Sequence, residues 1–203
     1  MAKFEFNEQA AMNGGASTGG KKVLDSGVYY VTLNTVSETT ASTGTTGLDW
    51  NFTVEGSQYP NTIYGMWIHK ADGTELFGAN LVQSLMGILG LKSLTTYNKT
   101  IEVKDGNKTV MAIKELDGKK VRVAIQKVLD AYNGELREKN EIKAFFDYDT
   151  GRTYAEMKNK AEPKQIKWYE TSMKDKETPE YKKWKLNEEI DDDYDIDESD
   201  SVL

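Results

Sequence analysis

Residues 48–54 read Leu-Asp-Trp-Asn-Phe-Thr-Val, and no other stretch limits the fold so tightly. Strict alternation puts Leu48, Trp50, Phe52 and Val54 on one face and Asp49, Asn51 and Thr53 on the other, the period of a strand with one face buried and one in water. A helix would scatter the same four apolar side chains around its circumference. The segment VYYVTLNTV repeats the pattern, with Tyr29, Val31 and Leu33 opposing Tyr30, Thr32 and Asn34. Between the two runs, ETTASTGTTG reads as a polar, mobile loop. A third run, TIYGMWIHKADG, sets Tyr64, Met66 and Ile68 against Ile63, Trp67 and His69, so that both faces hold apolar residues. Trp67 is placed outward, beside His69 and Lys70.

The period then changes. In ELFGANLVQSLMGILGL, Leu81, Val82, Leu85, Met86 and Leu89 recur at helical spacing, and Gly90 is placed to end the helix. Residues 92–107 have a weak pattern with an Asp105-Gly106 turn, and Val110, Ile113 and Leu116, spaced by three, suggest a helical turn or two. Two more strands, KKVRVAIQKVLD and LREKNEIKAFFDYD, flank the hairpin signal Asn133-Gly134. Alternation points Val121, Val123, Ile125, Ile142, Ala144 and Phe146 inward. It leaves Arg122, Ala124, Gln126, Arg137, Lys139, Lys143 and Phe145 outward, a basic face with an aromatic in reach.

Charge divides the chain's end from its body. Residues 188–203 hold nine of the 33 acids and no Lys or Arg, so the remaining 24 acids face all 26 bases, a body at +2. A run this acidic is expected to be disordered and to act as an interaction tail. The expected organisation is a flexible arm over 1–22, a mainly β domain over 23–155, a basic and aromatic extension over 156–187, and the acidic tail over 188–203. Trp168, Tyr169, Tyr181 and Trp184 are read as docking the extension on its own domain, ahead of the alternative that they stack on DNA bases.

Several chemistries are poorly served by this inventory. With no Cys there is no thiolate chemistry, and His69 is the only His, without evident partners for a triad or a metal. Gly15, Gly20 and Lys21 have phosphate-loop spacing, but Lys22 stands where Ser or Thr is required. Asp191, Asp193, Asp195 and Asp197 resemble the start of a calcium loop, with Ile196 and Val202 at positions that need Gly and Glu. Asp147 and Asp149 are the residues a magnesium-dependent nuclease would use, though a turn explains them more simply. No cofactor is expected. The absence of a signal-peptide pattern and of a membrane-length apolar run points to a soluble cytoplasmic protein.

Binding is easier to build. Single strands are held by cations that track phosphates and by aromatic rings that stack on bases. Tyr30, Trp67, Lys70, Arg122, Lys127, Arg137, Lys139, Lys143 and Phe145 have that composition. The segments SGVYYVTLNTV, LDWNFTVEG, NLVQSLMGILGL, LDGKKVRVAIQKV and NEIKAFFD, followed by the tail DDDYDIDESDSVL, resemble phage-encoded single-stranded DNA-binding proteins of the OB-fold type. The resemblance covers about residues 23–150 and the tail.

It implies a five-stranded barrel capped by a helix, and a non-enzymatic role in DNA replication, recombination and repair in the cytoplasm of the phage's host. It also implies that Asp191, Asp192, Asp193, Asp195, Asp197, Glu198 and Asp200 dock a polymerase, helicase or primase, and as a tethered polyanion beside a cationic groove the same carboxylates are expected to compete with DNA. A homodimer is allowed for. Tails of the family commonly end in Phe, whereas this one ends in Ser201, Val202 and Leu203, which leaves the partner open. The alternatives are an interaction or virion-associated β protein with a solubilising tail and, third, a metal-dependent nuclease.

Overall fold

The computed structural model describes residues 23–103 and 106–194, so the arm over 1–22 lies outside the described residues. The chain begins with a meander of β1 (Gly27–Thr40), β2 (Thr46–Val54) and β3 (Pro60–His69), followed by helix α1 (Phe77–Leu89). A hairpin of β4 (Thr96–Val103) and β5 (Gly106–Ile113), a 3-10 turn at Lys114–Leu116, and a second hairpin of β6 (Lys120–Tyr132) and β7 (Glu135–Phe146) come next. Helices α2 (Tyr154–Lys158) and α3 (Lys164–Ser172), the short strand β8 (Lys176–Glu177) and helix α4 (Pro179–Tyr194) complete the order.

Among the described residues the architecture is mainly β, a sheet of eight strands rather than the five expected from the sequence. All its ladders are antiparallel except the short pairing of β8 with β6. Strand β1 organises it. One edge pairs with β2 along most of its length, while the other pairs first with β6 and then, at Ser37, with β5. The expected mobile loop is mostly strand, because β1 continues to Thr40 and β2 starts at Thr46. Threonines suit the pleated surface well enough to extend both strands.

Strands of alternating pattern need a core on one face only. Val31, Leu33, Leu48, Trp50, Phe52, Val121, Val123 and Ile125 supply it, and Leu81, Val82, Leu85 and Ile88 of α1 close it. Helix α1 ends as its sequence suggests. Gly90 takes the left-handed conformation at φ 66°, and the Leu91 N–H returns 2.9 Å to the Met86 carbonyl.

Phe145 is a correction. It was expected outward, but it is 1 % exposed, with its ring centroid 5.1 Å from that of Trp50. The cause is a shift in the β6–β7 ladder. Ala124 pairs with Ala144 and Ile125 with Ile142, leaving Lys143 as an extra residue, so alternation inverts beyond it. Phe146 is buried too, in a second small core on the opposite face of the sheet with Ala124 and Ile166. That face is the one expected to be a basic groove, and α3 covers part of it.

The extension is more regular than its sequence pattern suggested, and two anchors show why. The Glu156 side chain accepts the N–H groups of Lys164 and Gln165, at 2.8 and 2.9 Å, at the start of α3. The Thr178 hydroxyl donates to Asp130 at 2.7 Å and accepts the Tyr181 N–H at 3.1 Å, tying the start of α4 to β6. Trp184 adds an indole hydrogen bond to the Gly134 carbonyl at the hairpin turn, 3.1 Å away. Trp184 and Tyr169 thus pack on their own domain, whereas Trp168 stays 57 % exposed. Helix α4 runs to Tyr194, so the boundary at Glu188 falls inside a helix, and Asp191, Asp192 and Asp193 lie on it instead of in a disordered tail. Asp195, Asp197, Glu198 and Asp200 lie outside the described residues.

Candidate nucleic-acid interface

The residues singled out from sequence do not share one face. Tyr30 and Arg122 pair on the outer face of β1 and β6, the guanidinium carbon 4.4 Å from the ring centroid. Arg122 also donates to the carbonyls of Tyr148 and Asp149, both at 2.8 Å. Tyr148 packs edge-on against Tyr30, and its hydroxyl donates to Glu55 at 3.0 Å, which raises its pKa. This cluster fixes the turn after β7, and its cation is already engaged. Lys127 is a second case, with a 17 % exposed side chain and its ammonium 2.9 Å from the Glu138 carboxylate. That hydrogen bond raises its pKa and neutralises it locally. Arg137 lies over Tyr132, 4.5 Å from its centroid, near the β6–β7 turn, and Lys70 is exposed in the turn after β3.

Trp67 and Lys143, by contrast, are brought together. They line one open groove of about 320 Å³ where the edge of β3 and the start of α1 face β7. Strand β3 reaches this geometry through irregularity. Leu48 pairs with Met66 but Trp50 with Ile63, so β3 carries an extra residue at Tyr64–Gly65, where Gly65 adopts φ 66°. The bulge resolves the ambiguous pattern of this strand. Ile63 is buried, Met66 and Ile68 pack on the core, and Tyr64 and Trp67 are 57 % and 39 % exposed. Phe77, 62 % exposed, lines the same groove.

Lys143 also borders a second open groove of about 350 Å³ between β6, β7 and α3, which Trp168 lines. Around Glu141 stand three ammonium groups, those of Lys139, Lys143 and Lys176 at 3.8, 3.9 and 3.4 Å. One carboxylate against three cations leaves two positive charges over. Their side chains are 56 %, 32 % and 49 % exposed, and ion pairs this open hold their partners weakly. A larger cleft, about 560 Å³ between the polar face of the meander and the β4–β5 hairpin, has the opposite character. Glu38, Asp49 and Glu102 face Lys108 there, a poor setting for a phosphate chain.

Among the described residues no group of three or more His, Asp or Glu is arranged to hold a metal ion. Asp147 accepts the N–H and hydroxyl of Thr150 at 2.8 and 2.6 Å, as a turn residue does. No helix among the described residues is long and apolar enough to cross a membrane. No protein-family model matches the chain, and no curated protein matches it either.

Tyr64 and Phe77 are not among the residues singled out from sequence, and for Trp168 docking is preferred there to stacking. The available signal for Tyr64 was the glycine beside it, since Gly within a strand marks a bulge.

Proposed function

We propose that the chain is a non-enzymatic, sequence-independent single-stranded DNA-binding protein of replication and recombination, built on an OB-type barrel. The barrel reading is supported by the meander β1–β2–β3, the helix α1, and the β6–β7 pair joined to β1, with β3 and β7 facing each other across the seam. On this reading the β4–β5 hairpin is an insertion between helix and barrel. The observation that carries the function is the groove at that seam. It gathers three exposed aromatic residues, Tyr64, Trp67 and Phe77, with Lys143 and its loosely held partner Glu141 on the opposite wall. Rings supply sequence-tolerant stacking and the ammonium a phosphate contact, so the groove suits an unpaired strand, whose bases are free to stack.

The test is a titration of oligo(dT) into the parent, Trp67→Ala and Lys143→Ala at several salt concentrations. Loss of one stacked base weakens binding by ~5- to 150-fold at all salts, from ~1–3 kcal/mol per base. Loss of one phosphate contact flattens the log–log salt slope by ~0.7. Parent protein that fails to bind, or variants indistinguishable from it, would overturn the reading.

A further inference from the structure

The extension after β7 presents two adjacent aromatic rings that do opposite things. Tyr169 turns inward, its ring 5.8 Å from that of Phe146 in an edge-to-face contact, and packs on the second small core. That contact and the buried Ile166 pack α3 on the sheet. Trp168 meets Tyr169 edge-on at 5.0 Å and keeps 57 % of its surface in water. An indole so exposed on a docked helix stabilises little by burial, and its open ring face beside lysines has the composition of a base-stacking platform.

The surroundings of Trp168 suggest what binds. Its groove is also lined by Lys143, Lys174 and Lys176, with Asp175, which already accepts the Ser26 hydroxyl at 2.6 Å, as the carboxylate of the lining and Glu141 pairing Lys143 and Lys176 loosely at 3.9 and 3.4 Å. Lys143 borders the groove of Trp67 as well, so the two aromatic sites meet at one ammonium group. Cations between and beside two exposed indoles match a chain of alternating phosphates and bases. The carboxylate-lined cleft beside the β4–β5 hairpin offers no comparable continuation from the other end of the seam.

Resting on the single-stranded DNA reading above, we infer that the bound strand does not end at the Trp67 groove but crosses β7 at Lys143 onto the C-terminal extension, where Trp168 stacks a base and Lys174 and Lys176 hold phosphates. The extension is thereby part of the binding site as well as a cover for the sheet.

The experiment compares full-length parent, Trp168→Ala, Trp168→Phe and the Lys174→Gln, Lys176→Gln double variant in oligo(dT) titrations, with thermal unfolding as a control. Trp168→Ala is expected to weaken binding ~5- to 150-fold with an unchanged salt slope, and Trp168→Phe to recover most of that loss. The double variant should flatten the slope by ~1.4, two contacts at ~0.7 each. Fluorescence provides a readout independent of folding losses. In a Trp67→Phe, Trp184→Phe protein the two remaining tryptophans are Trp50, fully buried, and Trp168, so quenching by oligo(dT) reports Trp168. Should the parent bind and Trp67→Ala weaken it, while the Trp168 and lysine variants match the parent and the fluorescence stays unquenched, the strand stops at β7 and this inference falls with the proposed function intact. A parent that binds no single strand removes both.

Discussion

Placement of α3, and so of Trp168, turns on Glu156. Its side chain is 9 % exposed and accepts four hydrogen bonds, from the Thr153 N–H at 2.9 Å, the Thr153 hydroxyl at 3.0 Å, the Lys164 N–H at 2.8 Å and the Gln165 N–H at 2.9 Å. The last two are donors of the first turn of α3, which the helix itself leaves unpaired, and the carboxylate there meets the positive end of the helix dipole. Burial by itself raises the Glu156 pKa, but the hydrogen bonds from Gln165, Thr153 and Lys164 outweigh it and hold the pKa below its ordinary value.

Glu156→Ala removes all four bonds. Each is worth ~1.5–3 kcal/mol net, but water can reach the freed helix end, so the sum is capped near ~3–4 kcal/mol. At ~2–4 °C per kcal/mol for a chain of this size, Tm falls by about 6–16 °C. Glu156→Gln keeps one acceptor oxygen for α3 and turns its NH₂ toward the Thr153 donors, costing ~1–2 kcal/mol.

The pH dependence has a definite sign. Because the folded state keeps the carboxyl ionised to lower pH, the unfolded chain binds more protons near pH ~4, and stability rises with pH there. Glu156's contribution is complete above the unfolded value of ~4.3 and is lost as pH falls through the folded one. Thermal unfolding followed by circular dichroism, from neutral pH down to pH ~3, should show the gap between parent and Glu156→Gln narrowing on acidification. A gap that stays constant or widens, or an alanine variant as stable as the parent, would refute the reasoning.

Phe145→Ala should cost ~3–5 kcal/mol in urea unfolding, as deletion of a fully buried ring does, while the folded protein keeps its affinity for oligo(dT); lost affinity at unchanged stability would return Phe145 to the surface. Ending the chain after Tyr194 removes Asp195, Asp197, Glu198 and Asp200 but spares α4, and should tighten single-strand binding at low salt, with the advantage disappearing as the screening length falls from ~30 Å at 0.01 M to ~3 Å at 1 M. Equal affinities of the two proteins at low salt would deny the segment any competition for the groove.

Where an element was legible in the sequence, its periodicity was strong and local. The face of β2, the apolar stripe of α1 and the Asn133-Gly134 turn, with φ of 52° and 79°, follow from a few neighbouring residues. The β4–β5 hairpin was not legible, since Val110 and Met111 at its end stay partly in water and no clean alternation survives. Nor was the order of the extension. Ile166 is the one buried residue of α3, and what fixes that helix are partners distant in sequence, Phe146 below it and Glu156 at its start.

The β3 and β7 walls of the candidate site were misread for one physical reason. Alternation assumes that every residue advances a strand by half a period, and a bulge breaks that assumption for everything beyond it. Such shifts occur at Asn34 in β1, within β3 and at Lys143 in β7. In β3 the extra residue lets Ile63 and Met66 both face the core while Tyr64 and Trp67 face the groove. In β7 it lets Ile142 and Phe145 both face the core. Lys143 is the residue left without a partner in that ladder, so its side chain is not held beside a cross-strand neighbour. A bulged residue of this kind is re-aimed, which is how one lysine comes to border the grooves on either side of its strand. Deleting it would exchange the faces of the strand's last residues and withdraw Phe145 from Trp50, so the junction between the two grooves and the packing of the core rest on the same irregularity.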